Sequence, residues 1–258
     1  MWYNVATMEQ GIHIALRAET ITEVFGVPIT NTLVTSWIVM VILIALSVFI
    51  GKNLKLVPGK VQILFETGIE YVLLYMEEVL QSRKYAERFF PLVMTLFLFI
   101  FTANVLEFTP GIGSIGFFHA VEGHETFTPL LRSVNTDLNV TLALAIISFL
   151  VIEVSGVLII GFLKYFRKFV NVRSVLGFFI GIIELFSEIA RLISFSFRLF
   201  GNIFAGEVLI LVAIFFVPYF LPVPLMLFEV FVGFIQAAIF SLLTLFFIKI
   251  AITPMEAH

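Results

Sequence analysis

GFFIGIIELFSEIARLISFSFRLFGNIFAGEVLILVAIFFV, residues 177–217, decides how this chain is built. The run is apolar along its whole length, yet it carries Glu184, Ser187, Glu188, Arg191, Arg198, Asn202 and Glu207. As one α-helix at ~1.5 Å per residue it would be ~60 Å long, twice the ~30 Å hydrocarbon core of a bilayer. Either it forms a single, steeply oblique helix, or RLFGN (198–202) turns between two short spans. Gly201 permits a turn, but the run has no proline and no cluster of polar residues to make one. A turn would also add a crossing and carry Lys249 and the C-terminus to the outside. One long oblique helix is the expectation.

The rest of the chain has the same lipid character. Of 258 residues, 60% are hydrophobic and 13% charged, against roughly 45–50% and about 25% in soluble domains. Four further regions have the length and apolarity of a span: 32–50, 89–109, 138–163 and 225–252. The fold class that follows is an all-α polytopic membrane protein with about five crossing helices. No hydrophilic segment is long enough to fold separately, so 1–258 is expected to form a single membrane domain. The polar N-terminus, MWYNVATMEQGIHIALRAE, has no basic region and no small-residue cleavage site, so no cleavable signal peptide is expected. The absence of cysteine excludes disulfides, thiolate metal sites and cysteine nucleophiles.

Segment 61–88 differs in kind. Gln62, Glu66, Glu70, Glu77 and Gln81 fall within about 100° of one another at 3.6 residues per turn, and apolar residues fill most of the remainder. This predicts an amphipathic helix at the membrane interface or against partner helices. Its acidic stripe favours protein contact, because lipid-surface helices usually present Lys and Arg.

Basic residues orient the spans. Lys52, Lys55, Lys60, Arg83, Lys84 and Arg88 lie between the first and second regions, and Lys164, Arg167, Lys168 and Arg173 follow the third. The 110–137 loop holds only Arg132 against Glu122, Glu125 and Asp137. Positive-inside therefore predicts an outside N-terminus, an outside 110–137 loop and a cytoplasmic C-terminus.

Ionisable side chains at membrane depth cost ~2.5–3.5 kcal/mol each on insertion scales, which makes them functional candidates. They are Glu107, Glu153, Glu184, Glu188, Arg191, Arg198, Glu207 and Glu229, with Asn104, Asn202 and Gln236 beside them. Helical geometry places Glu184, Arg191, Ser194, Arg198 and Asn202 within about 80° on one face. Glu207 emerges on the opposite face, so the nearest downstream carboxylate does not neutralise Arg198. Snorkelling serves arginines near helix ends, whereas Arg198 is about twenty residues from either end of its run. Glu229 and Gln236 are seven apart and share a face, which would let Gln236 hydrogen-bond towards Arg198 if the helices pack together. Glu153 stands alone in its span, equally compatible with a lumen-facing and a functional carboxylate.

The loop sequence HAVEGHE (119–125) matches no named metal site, so a polar loop is expected and no metal. His13 is expected to be solvated or interfacial. There is no phosphate loop, nucleophile elbow or nucleotide fingerprint. The chain is therefore expected to hydrolyse no ATP, to need no cofactor and to bind no nucleic acid.

SFRLFGNIFAGE (196–207) closely resembles the signature of subunit a of rotary F-type ATP synthases. NVLEFTP (104–110), DLNVT (137–141) and IQAAIFSLLT (235–244) resemble further family stretches in order, as does the N-terminal VPITNTLVTSWIVMVILIAL, in bacterial and plastid-type members. The resemblance spans nearly the whole chain. It implies two long tilted final helices against a ring of c subunits, with Arg198 facing the essential ring carboxylates. It also implies two offset half-channels: an outer one past Asn202, Glu207, Glu229, Gln236, Glu107 and Asn104, and an inner one past Glu184, Ser187, Glu188 and Arg191. The implied partners are the c ring, peripheral-stalk b subunits, the rest of the F1Fo complex and membrane lipid, in a bacterial plasma membrane. Some members hold a Glu–His pair where Glu207 and Glu229 stand, and two neighbouring carboxylates are expected to share a proton. Two other classes fit less well. A secondary transporter often shows internal repeats with broken helices, and the halves here are not self-similar. A passive scaffold has no use for Arg198 among so many intramembrane carboxylates.

Overall fold

The computed structural model describes residues 18–109, 115–121, 124–166, 169, 175–218 and 220–253. His13, Glu122, Arg167, Lys168 and Arg173 lie outside them. A short hairpin, β1 (Thr20–Val24) and β2 (Val27–Thr30), opens the described chain and feeds α1 (Asn31–Lys52). Thr30 caps α1 by accepting from the Leu33 amide, which satisfies one of the amides a helix start leaves open. After the loop come α2 (Lys60–Leu80) and α3 (Arg83–Glu107). A second hairpin, β3 (Gly116–Val121) and β4 (His124–Pro129), pairs Gly116 with Pro129 and leads to α4 (Leu138–Ile160). A single-turn α5 (Phe162–Phe166), then α6 (Val175–Phe216) and α7 (Pro222–Ile252), complete the chain. Both hairpins went unpredicted.

Helices α1, α3, α4, α6 and α7 are long and apolar enough to cross a membrane. The large question of the 177–217 run is resolved as continuity: α6 is one helix of 42 residues, unbroken at Gly201. A rod of ~1.5 Å per residue and that length stays near a ~30 Å core only when steeply inclined. The 31-residue α7 raises the same demand less strongly. Pro222 starts α7, where a missing amide costs nothing and the fixed φ suits a first turn.

The amphipathic segment ends earlier than the sequence suggests. Gln81 adopts φ +55 and closes α2, and Ser82 opens α3. Residues 83–88 thus belong to the basic end of a crossing helix rather than to the interfacial one. The predicted span 138–163 likewise stops at Gly161, whose φ of +94 turns the chain into α5.

Three layers of side chains hold the helices together. Towards the ends of α2, α4 and α7, Met76, Leu80, Phe89, Ile152, Tyr165 and Leu245 pack as one cluster. The central layer joins Leu96 and Ile100 of α3, Ala145 of α4, Phe195, Leu199 and Ile203 of α6, and Ala237 and Phe240 of α7. The third unites Val39, Ala103 and Val134. Outside these layers the surface is apolar: Ile44, Leu150, Phe186 and Phe231 are among many large hydrophobic residues left exposed. That pattern suits lipid or membrane partners and no aqueous surface.

Candidate functional site

Arg198 lies well inside α6, on its exposed side. Its guanidinium donates to the Ser194 hydroxyl one turn before it, at 3.1 Å. Among the described residues no carboxylate pairs with it. The exposed file on this face runs Ile183, Ser187, Ser194, Arg198, Asn202, Ala205 and Leu209. Ser187, Ala190, Ser194 and Ala205 are small, so a neighbouring helix could approach the arginine closely. Arg198 also lines an open groove of about 250 Å³ with Ser187, Arg191, Ser194, Leu243 and Phe247, which lets the crevice between α6 and α7 reach the arginine.

Gln236 is buried on α7, 7% exposed. It shares a face with Leu243 and Phe247, seven and eleven residues on at 3.6 per turn, so it sits above the groove that Arg198 lines. The hydrogen bond expected from Gln236 to Arg198 is not formed; Arg198 bonds Ser194 instead.

Below Arg198 the groove leads to an ion pair. Arg191 donates to Glu188 at 2.6 Å, and Glu188 is 3% exposed. The Arg191 guanidinium also stacks over the Phe247 ring at 4.0 Å, a cation–π contact in a desolvated setting. The sequence-derived set therefore separates here. Ser187 and Arg191 line the groove with Arg198, Glu188 turns inward from it, and Glu184 is half-buried a turn earlier.

The opposite half gathers three carboxylates from three helices. Glu107 of α3, Glu207 of α6 and Glu229 of α7 lie close enough for the latter two to act electrostatically on the first. Glu229 is 5% exposed. Gly206 lies against it so tightly that a Cβ there would overlap the carboxyl. One oxygen each of Glu207 and Glu229 is buried with no hydrogen-bond partner. Such oxygens, costly if left dry, suit proton-carrying groups or water contact. Asn104 fixes the neighbourhood: its Nδ2 donates to the Gly233 carbonyl at 3.1 Å and its Oδ1 accepts from Asn135 at 2.6 Å.

Sequence reasoning passed over the stretch of chain that closes this carboxylate cluster. Ser133 donates to Glu107 Oε2 at 2.7 Å. Thr136 faces Glu207, and Arg132 acts on both Glu107 and Glu207. Arg132, only 9% exposed, is a buried charge and not a solvated one, and its backbone amide donates to the Thr35 hydroxyl of α1. The available signal was the dense polar run RSVNTD (132–137) abutting a span. Asp137 ends that run by capping α4 through the Asn139 amide and accepting from Thr32 at 2.8 Å.

Glu153 is not alone, which corrects the expectation. Tyr165 of α5 donates to its Oε2 at 3.0 Å. Burial, and then the Glu153 carboxylate, push the Tyr165 phenol up, so it stays a hydroxyl donor. No group of three or more metal-ligating side chains occurs among the described residues.

A family model described as ATP synthase A chain matches residues 33–249. ATP synthase subunit a of Moorella thermoacetica is 32% identical over 222 residues, which cover 86% of this chain and 90% of that protein. Its counterpart from Campylobacter jejuni is 33% identical over 221 residues, covering 86% and 89%. The sodium-ion-specific ATP synthase subunit a of Propionigenium modestum is 31% identical over 239 residues, covering 92% and 79%. With the match extending from α1 through α7, and an arginine without a carboxylate partner among the described residues set midway along a 42-residue helix, this multi-pass membrane chain belongs to the ATP synthase A chain family, the non-catalytic, ion-translocating stator subunits of the Fo sector.

Proposed function

We propose that this chain passes protons through two offset half-channels to and from carboxylates on a rotating c ring, with Arg198 separating the two routes. The observation that carries the reading is the exposure of Arg198. A guanidinium that faces out of an apolar surface at membrane depth, with no carboxylate partner among the described residues, requires its counter-charge from another chain. The small residues around it leave room for a packed ring helix.

A ring carboxyl crossing the lipid is neutral. Beside Arg198 the fixed positive charge favours the carboxylate, so the proton must leave before the pair can form. The same charge repels a proton that would run straight from one half-channel to the other. The outer half-channel comprises Glu107, Asn104, Glu207 and Glu229, with Asn202 and Gln236 next to the arginine. The inner one comprises Glu184, Ser187, Glu188 and Arg191. Each charge carried across yields ~2.3 kcal/mol per 100 mV.

The charge distribution supports an outside N-terminus and a cytoplasmic C-terminus in a bacterial plasma membrane, because the basic segments flank α2 and follow α4. Helix α2 leaves Leu64, Tyr71 and Leu74 exposed, a face suited to the peripheral-stalk b subunits.

ATP-driven pumping into inverted vesicles carrying Arg198→Ala, with complex assembly checked in parallel, tests the reading. Loss of pumping in an assembled complex is expected. Wild-type pumping would reduce Arg198 to a packing charge and sink the scheme. The same assay in sodium-free buffer checks the ion: strict dependence on sodium would replace protons by Na⁺.

A further inference from the structure

On the side of α6 that carries Arg198, Ser187 is the last exposed polar residue towards the start of the helix. Before Ser187 that side presents Ile183, Ile180 and Leu176, all large, apolar and exposed. The polar continuation goes inward. Arg191 donates to Glu188, which is buried at 3% exposure. Glu188 and Arg191 in turn lie close enough to act electrostatically on the Tyr165 hydroxyl. Tyr165 is itself 5% exposed and donates to Glu153 at 3.0 Å. Glu153 precedes the end of α4 by seven residues, ~10 Å of helix rise. A buried hydroxyl within electrostatic reach of the Glu188 pair is therefore hydrogen-bonded to a carboxylate near the corner where α4 ends at Gly161.

The fold makes a place for this bridge. Gly156 has no side chain where the Tyr165 ring lies, and a Cβ there would overlap the ring and approach the Ala251 carbonyl of α7 at 3.0 Å. The Tyr165 ring packs edge-on against Phe169, whose carbonyl abuts Gly181 of α6. The hydroxyl is thus fixed between α4, α6 and α7.

We propose that Tyr165 and Glu153 continue the inner proton route from Glu188 to the cytoplasmic corner between α4 and α5. The inference rests on the proposed assignment of the first half of α6 to the inner half-channel. A proton reaching the Tyr165 oxygen from the Glu188 side, through an intervening water, releases the hydroxyl's own proton to Glu153. Glu153 passes that proton to cytoplasmic water and returns to the carboxylate. No bond other than O–H bonds forms or breaks.

The test is passive proton conduction through the Fo sector after removal of F1 from reconstituted complexes, with subunit content checked. Tyr165→Phe keeps the ring packing and deletes the hydroxyl. Glu153→Gln keeps an acceptor for Tyr165 but holds no transferable proton, so it separates a relay from an anchor. Each is expected to slow conduction about fivefold or more, below the ~10²–10⁴ of a lone proton-transfer group because water offers a bypass. Glu153→Asp is expected to restore at least half of the rate. Wild-type conduction in Glu153→Gln overturns the proposal, as does equal impairment of the Gln and Asp variants. Should Glu153→Gln not assemble, wild-type conduction in Tyr165→Phe overturns it alone. Glu188→Gln and Glu184→Gln serve as controls. If these also conduct normally, the inner half-channel assignment itself fails; if only they are slow, the route stays on α6 and the corner plays no part.

Discussion

Gly206 of α6 and Glu229 of α7 meet so closely that the glycine's missing side chain is the space the carboxyl occupies. This is where the two longest helices touch, and the atoms in the way are the movable end of a glutamate. Gly206→Ala should therefore leave the fold standing and displace the carboxyl. The cost belongs at the low end of the ~1–3 kcal/mol typical of overpacking. Assembled complex should be recovered near wild-type yield, with ATP-driven pumping clearly reduced. The double variant Gly206→Ala/Glu229→Ala should pump no worse than Glu229→Ala alone, since the overlap has gone. Additive losses would mean that Gly206 acts through something other than Glu229.

Asp137 ties two spans together from one carboxylate. It caps α4 through Oδ1 and accepts the Thr32 hydroxyl of α1 through Oδ2. Asp137→Ala removes both, and an N-cap alone is worth ~0.5–2 kcal/mol. Asparagine caps as well as aspartate and offers one acceptor oxygen. Retention of the subunit in detergent-solubilised complex during heating should fall markedly for Asp137→Ala and little for Asp137→Asn. Equal losses in both would show that the charge matters and the cap does not.

Much of this architecture is legible in the residues, and two of its misses share a cause. Five spans emerge from hydropathy because lipid imposes length and apolarity on every crossing helix. The continuity of α6 follows from the lack of any breaker in its run. Two of the boundaries placed wrongly or overlooked, at the β1–β2 turn and at the end of α2, involve non-glycine residues in left-handed backbone, Phe25 at φ +52 and Gln81 at φ +55. Glycine or asparagine usually marks left-handed backbone, and neither residue announces itself that way. The site divides similarly. Carboxylates in apolar helices stand out by their expense, whereas Arg132 and Tyr165 lie in a loop and a single-turn helix. Their burial is a product of tertiary packing that no local pattern records.

Helix α2 is pinned to the start of α3 by charge. Arg83 donates to both oxygens of Glu70, at 3.0 and 3.2 Å, and to Glu87 at 2.8 Å. The guanidinium beside Glu70 holds its carboxyl below the ordinary value. Because the folded value is the lower one, this contribution is present above the usual carboxylate range of ~4.3 and fades as pH falls through the depressed value. The groups are exposed, so salt should weaken the tie as well. Hydrogen-exchange protection across 60–88 is expected to drop on acidification and with added salt in the wild type. In Arg83→Ala it should already be low and nearly indifferent to both. Unchanged pH and salt responses in that variant would remove this tie from the account of α2.

Asn104 ties α3 to α7 and to the 132–137 stretch without carrying charge. It is 1% exposed, and it spans from the Gly233 carbonyl, one turn beyond Glu229, to the amide of Asn135, which is fully buried. The Gly233 carbonyl keeps its own helical partner, so truncation of Asn104 chiefly strands the Asn135 amide. Leaving such a donor unsatisfied costs ~1–3 kcal/mol. Asn104→Ala should lower the thermal retention of the subunit in the purified complex, and Asn135→Ala should do so by a similar margin. The two losses should not add, because each variant breaks the same 2.6 Å bond. Asn104→Asp retains the acceptor for Asn135 but sets a carboxylate oxygen against the Gly233 carbonyl, so it should fall with Asn104→Ala and not with the wild type. If Asn104→Asp matched wild-type retention, the contact with α7 would contribute nothing, and the position of Glu229 would have to be held by Gly206 alone.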